Sequence, residues 1–217
     1  MTEPSSNPAP VYSSDVAFTP SVKAIQSRKG SRRGYAKMEE GGSWETSITP
    51  ALAGFIAKQS SIFFGTSSKG GQPYIQHRGG PAGFLRVLDA KTIALADFAG
   101  NRQYITQGNL AENTKAFMFL IDYVQRRRIK IWGEARVVEG DAELSVRLMP
   151  DGYKARAEQV IVFTVSAWDS NCPQHIPQRF EAADVATALD ERDSRIKALE
   201  AEIEGLRAGS IKHADLP

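Results

Sequence analysis

Between Ser61 and Trp168 the chain runs as short β-prone segments separated by turns, with only two short helical pieces among them and no long crossover helix. Parallel strands need a crossover of a dozen residues or more, usually a helix, so this spacing rules out a doubly wound sheet. Ile62 to Thr66 is followed by the turn Ser67-Ser68-Lys69-Gly70-Gly71, and Gln72 to Arg78 returns as its hairpin partner. Phe84 to Leu88, a turn at Asp89-Ala90-Lys91, and Thr92 to Asp97 form a second hairpin. Lys115 to Tyr123 is the most apolar strand and reads as buried on both faces. Arg127 to Val138 alternates, with Ile129, Ile131 and Gly133 on one side and Lys130, Trp132 and Glu134 on the other. Val160 to Trp168 is the last strand. About six strands with few helices between them predict a mainly β fold, an antiparallel β-barrel with flanking helices.

The flanks read differently. Residues 1–17 are rich in Pro and Ser and weakly hydrophobic, which predicts a mobile arm. Residues 18–49 form a helical extension. In it Thr19-Pro20 gives an N-cap with proline at the first helical position, and Gly30 stops a helix over Pro20 to Lys29. Thr49-Pro50 repeats the signal ahead of Leu52, Phe55 and Ile56, and opens a barrel domain over residues 50–180. Two further helical pieces follow Asn101 and span Asp141 to Leu148. From residue 181 to 208, Val185, Leu189, Ile196, Leu199, Ile203 and Leu206 recur at four- and three-residue steps, interrupted by Arg192. That spacing predicts one amphipathic helix, packed either on its own barrel or against a second copy; residues 209–217 are a tail.

Composition removes several function classes. One cysteine, Cys172, allows no intrachain disulfide and no cysteine-based zinc site, and the three histidines lack metal-ligand spacing; no metal is expected. A net charge of +2 is too small to imply nucleic acid. Neither a secretory leader nor an apolar run of membrane-span length is present, so neither membrane nor nucleic acid is expected as a partner, and a cytoplasmic location is. There is no Walker loop, and Gly79-Gly80-Pro81-Ala82-Gly83 does not fit the dinucleotide glycine fingerprint.

The charge that remains informative is local. Gln76, His77 and Arg78 end one strand before a glycine-rich bend, and Asp97 leads out of another into Asn101, Arg102 and Gln103. Placed at the opening of a helical turn, Asn101, Arg102 and Gln103 would make an anion site, most naturally for a phosphate. Arg126, Arg127 and Arg128 add positive charge on a third strand, and only a curled sheet brings the three segments together. The plainer alternative is that Arg78 and Arg102 pair with surface acids.

The runs Gly71 to Gly80, Leu95 to Gln103, Leu110-Ala111-Glu112-Asn113 and Arg128 to Gly133 together resemble the FMN-binding split barrel of the pyridoxamine 5'-phosphate oxidase-like family, over about residues 50 to 170. Gln76 to Gly80 and Asn101 to Gln103 are similar to its oxidase-related members. The resemblance implies FMN as cofactor, bound at the interface of a homodimer. It also implies cofactor contacts from Gln76, His77, Arg78, Asp97, Asn101, Arg102, Gln103, Arg128 and His175. In the oxidases a Ser-Arg-Lys segment holds the phosphate. Here Asn101 and Gln103 flank Arg102, which becomes the main charge, helped by Arg78. Arg128 stands where the oxidases use a glutamine, and there would stabilise negative charge on the reduced flavin. His175, in the two-proline loop with Cys172 and Gln174, would lie over the flavin. Trp132 and Tyr104 either stack near the ring or belong to the core. The Arg-Pro-x-x-Ser segment and the C-terminal Trp-Arg-Leu-x-Pro motif that the oxidases carry are missing, so pyridoxamine phosphate oxidation is not expected. The function implied is a flavin-dependent oxidoreductase acting on a small substrate, with no catalytic residue singled out. The alternatives are a flavin carrier or sensor without turnover and a haem- or deazaflavin-binding split barrel.

Overall fold

A computed structural model of the chain describes residues 11–171 and 173–214. Two compact units emerge, Met1–Asp122 with Arg126–Gln174, and Tyr123–Gln125 with His175–Pro217. In chain order the elements are α1 (Pro20–Lys29), α2 (Arg32–Glu40), α3 (Pro50–Ala57), β1 (Ser61–Ser67), β2 (Pro73–Gly79), β3 (Leu85–Val87) and β4 (Thr92–Phe98). There follow α4 (Ile105–Glu112), β5 (Lys115–Asp122), β6 (Arg127–Val138), α5 (Ala142–Leu148), β7 (Ala157–Asn171) and α6 (Ala182–Ala214).

All seven strands join one antiparallel sheet in the order β2-β1-β5-β6-β7-β4-β3, the architecture that short loops and hairpin turns require. Alternation sorts its faces. Ile62 and Phe64 on β1, Met118 and Leu120 on β5, Ile129 and Ile131 on β6, and Ile161 and Phe163 on β7 all point inward into one core, closed by Leu52, Phe55 and Ile56 of α3. A smaller cluster, Ala94, Ala96, Val160 and Leu148, seats α5 on the other side of β4 and β7. The strand β5 is not buried on both faces as expected: Ala116, Met118 and Leu120 are, while Phe117, Phe119 and Ile121 on the opposite face are only half-buried.

The helix caps follow the sequence signals. The Thr19 hydroxyl accepts from the Val22 N–H and the Thr49 hydroxyl from the Leu52 N–H, while Gly30 closes α1 with φ 82°. Residues 1–10 of the expected arm lie outside the described residues. Its remainder is packed: Ser13–Val16 form a 3-10 turn whose Ser14 is fully buried. The helix α2 carries no sequence signal, having no side-chain cap and Gly34 in its first turn. Tertiary charge holds it instead. Glu39, buried near the end of α2, is paired with Arg32 and Lys23 and accepts from the Ser14 hydroxyl. Burial of that carboxylate is tolerated because its oxygens are satisfied.

This extension wraps the barrel rather than crossing its mouth. Trp44 stacks on Trp132 of β6 with ring centroids 4.8 Å apart and planes 17° from parallel, and Lys130 lies over both rings. The strap after Trp44 is pinned by the Trp168 indole N–H donating to Ser47 O at 2.8 Å and the Ile48 N–H donating to Ala90 O at 2.7 Å. Trp132 is thereby spent on packing against its own chain and not on a cofactor ring.

At Gly133 the ladder between β6 and β7 slips by one residue, and a Cβ there would lie 2.1 Å from Thr164 O and 2.7 Å from the Phe163 ring. The Gly133→Ala variant is therefore expected to lose about 1–3 kcal/mol of stability, read as a lower urea midpoint at unchanged slope. The Asp15 carboxyl is held below the usual carboxylate range by a hydrogen bond from the Lys23 ammonium and, next, by the Tyr12 N–H. A lowered folded-state value means its contribution is present above the ordinary carboxylate range and is lost as pH falls through it. Amide protection over residues 12–17 is expected to drop first as pH is taken from 7 to about 3, measured by hydrogen exchange.

Candidate functional site

Alternation along β2 decides which side chains meet. Its register with β1 pairs Arg78 with Ile62, Gln76 with Phe64 and Tyr74 with Thr66, all inward-facing partners, so Tyr74, Gln76 and Arg78 point inward. On β4, Asp97 points the same way as the core residues Ile93 and Leu95, and on β7 Gln159 points the same way as Ile161. The curl of the sheet brings these three strands together although β2 and β4 lie at opposite ends of the strand order. Arg78 Nη1 donates to Asp97 Oδ1, forming a salt bridge whose side chains are 14% and 10% exposed. Gln159 Nε2 donates to the other oxygen, Oδ2, at 2.8 Å. Arg78 Nε is buried and has no hydrogen-bond partner. A buried donor left open costs about 1–3 kcal/mol, so it marks a place where a further acceptor would be stabilising.

Beyond Phe98 the backbone turns sharply. Arg102 and Tyr104 both adopt left-handed conformations, φ 59° and 53°, which non-glycine residues seldom occupy. These turns delay the helix: Asn101, Arg102 and Gln103 do not open it as expected but form the bend before it, and α4 starts at Ile105. Asn101 Oδ1 is used inside the bend, accepting from the Gln103 N–H at 3.3 Å. Tyr104 is the N-cap and provides no side-chain hydrogen bond, so the first N–H groups of α4 and the positive end of its dipole are uncapped. The Thr106 hydroxyl donates to Gln76 Oε1 at 2.7 Å, tying α4 to β2.

A cavity of about 290 Å³ results, lined by Tyr74, Gln76 and Arg78, by Asp97 and Phe98, by Gly100 through Gln107, and by Glu158 and Gln159. Its charged groups are matched in number, two arginines and two carboxylates, but not in engagement. Arg78 is committed to Asp97, a buried carboxylate and not one of the surface acids of the plainer reading. Arg102 is 62% exposed and its nearest carboxylate oxygen, on Glu158, is 3.6 Å away, outside hydrogen-bond range and shared with Arg156. Arg102 is therefore the cation available to an entering anion, and Arg78 serves mainly to hold the walls together.

Six expected residues thus share one cleft: Gln76, Arg78, Asp97, Asn101, Arg102 and Gln103. Two others lie on the opposite face of the sheet. His77 points outward from β2, its Nε2 2.8 Å from the Ser61 hydroxyl and its ring edge-on to Phe63. Arg128 precedes the inward Ile129 on β6 and stands outward in register with Ile121. His175 belongs to the second unit, where its backbone is left-handed at φ 64°, and Cys172 lies outside the described residues. The sequence reading did not single out Tyr74, Thr106, Glu158 or Gln159. Tyr74 was reachable, being two positions from Gln76 on an alternating strand; Gln159 precedes the apolar run from which its strand was recognised and carries no signal of its own.

Residues 48–172, more than half of the chain, match the family model for pyridoxamine 5'-phosphate oxidase. The chain belongs to that family. Its fold is accordingly the family's split barrel, an antiparallel curled sheet with flanking helices. No curated protein matches it. Among solved structures, HupZ of Group A Streptococcus is 19% identical with a TM-score of 0.48, covering 61% of this chain and 99% of its own. An FMN-binding protein from Syntrophomonas wolfei is 14% identical at 0.46, covering 67% and 97%. A putative pyridoxamine 5'-phosphate oxidase from Lactobacillus delbrueckii is 15% identical at 0.45, covering 58% and 95%. Nothing about the chemistry of this chain follows from likeness at that level. Among the described residues no group of His, Cys, Asp and Glu side chains gathers to hold a metal ion, and no helix is long and apolar enough to cross a membrane.

Removing one member of the buried pair leaves the other charged and unsatisfied. Asp97→Ala is expected to cost about 3–5 kcal/mol, more than Arg102→Ala at the exposed rim, when both are compared by denaturant unfolding.

Proposed function

We propose that this protein binds FMN as a homodimer, with two flavins between the subunits, and acts as a flavin-dependent oxidoreductase on a small substrate. The observation that carries the reading is the anion-binding corner of the cleft. An under-engaged Arg102 and the uncapped start of α4 line one cavity together with Arg78, Tyr74 and Tyr104. That set fits a phosphate carried on a larger planar molecule.

The size of the cavity supports a shared site. At about 290 Å³ it lies at the low end for pockets that enclose a ligand of this size by themselves. A second copy would complete it. The outward residues then acquire a role: His77 and Arg128 would meet the flavin from the partner's side, beside the exposed apolar pair Phe63 and Ile75 on β1 and β2. Bound FMN supplies the hydride-accepting ring. Arg102 and the start of α4 would hold the phosphate, Gln76 and Gln103 would orient the ring, and Arg128 would stabilise negative charge on the reduced flavin.

Freshly purified protein is expected to show flavin absorption or to take up added FMN. Arg102→Ala is expected to weaken that binding by about 10- to 100-fold, the loss of one charge-assisted contact, measured by quenching of flavin fluorescence. A colourless protein that also refuses added FMN overturns the reading, and a Soret band would replace it with haem.

A further inference from the structure

The most conspicuous surface unused by the cleft is on α6. Its side chains described are exposed throughout, including Val185, Leu189, Ile196, Leu199, Ile203 and Leu206, at 38–67% exposure. At about 1.5 Å per residue this helix extends roughly 50 Å. Six aliphatic side chains in one line along an exposed helix of that length form an apolar stripe, and the charges beside the stripe say what covers it.

Taking Leu189, Ile196 and Ile203 as heptad position a puts Val185, Arg192, Leu199 and Leu206 at d. Isoleucine at a with leucine at d is the packing that favours two parallel strands. In such a pair the residue at g on one helix faces the residue at e five positions further along the other. Position g holds Arg195 and Glu202, and the corresponding e positions hold Glu200 and Arg207. Both g-to-e contacts are therefore attractive, Arg195 to Glu200 and Glu202 to Arg207, and two-fold symmetry doubles each. Residues five apart on one helix do not face each other, so neither pairing is satisfied within a single chain. An antiparallel arrangement of the same seam faces e with e and g with g; it keeps Arg195 against Glu202 and Asp193 against Arg207 but sets Glu200 against Glu200, so the parallel form is the one with no like-charge contact beside the seam.

We propose that α6 pairs with α6 of a second copy of this chain as a parallel, in-register, two-stranded coiled coil. Arg192, the one charge in the seam, lowers its stability, so the three heptads are marginal alone. Attachment to a second contact between the same two chains would raise the effective concentration of the helices. The pairing uses no residue of the cleft and does not rest on the flavin reading.

The test uses the full chain in a Cys172→Ser background. Ile203→Cys, at a seam position, is expected to form a disulfide-linked dimer on mild oxidation, whereas Ala201→Cys, on the outer side of the coil, is not. Adding Glu202→Arg to Ile203→Cys sets like charges together and is expected to lower the yield by about ten-fold, and adding Arg207→Glu as well restores it. Equal crosslinking of Ile203→Cys and Ala201→Cys overturns the proposal, as does a double charge exchange no better than the single one. Flavin content is read from the visible spectrum of each sample, so loss of cofactor and loss of coil are told apart.

Discussion

The ion pair between Arg78 and Asp97 joins two strands at opposite ends of one sheet's strand order. Hydrogen bonding between neighbouring strands gives the sheet its order but leaves its degree of curl open. The pair sets that curl, because a buried arginine and a buried carboxylate are tolerated only when they meet. Gln159, from a third strand, satisfies the remaining carboxylate oxygen and fixes its direction. The closure carries a desolvation cost that packing of Ile62, Phe64, Leu95 and Phe163 beneath it offsets. The cleft lies at the seam so formed, and its walls are the strands the pair connects.

This arrangement separates two jobs that the amino-acid sequence presents as one. Arg78 and Arg102 look alike as cations near glycine-rich bends. In the fold, Arg78 is an internal tie and Arg102 is a rim group in reach of solvent and of an anion. The left-handed residues Arg102 and Tyr104 are what put the rim there. They keep α4 from starting earlier, so that its first residues line the cleft, at a cost in backbone strain of the kind found at binding sites.

Local chemistry was legible in the sequence; partnership was not. Thr19 and Thr49 announced two helices because a capping hydroxyl acts within three residues, and alternation in Arg127 to Val138 sorted the faces of β6 because a strand has a period of two. The same alternation already put Arg128 on the side opposite Ile129, so its distance from the cleft was implicit in the pattern. The helix α2 was illegible because buried Glu39 holds it through Arg32 and Lys23 rather than through any local signal. The stacking of Trp44 on Trp132 was equally hidden, since it joins residues far apart in sequence. Six of nine expected cofactor residues share the cleft, and they come from two short segments whose internal geometry is local. Arg128 and His77, on the outer face, make sense at a cofactor only if a second chain contributes.

On the reading proposed above, a ligand would sit against the strands that the ion pair joins, so one that enters the cleft should stabilise the closed sheet. Thermal unfolding of the cofactor-stripped protein across a series of FMN concentrations tests this most directly. The melting temperature should rise with FMN and, once FMN is in excess over the chain, go on rising roughly with the logarithm of its free concentration. An unchanged melting temperature at saturating FMN would contradict the account.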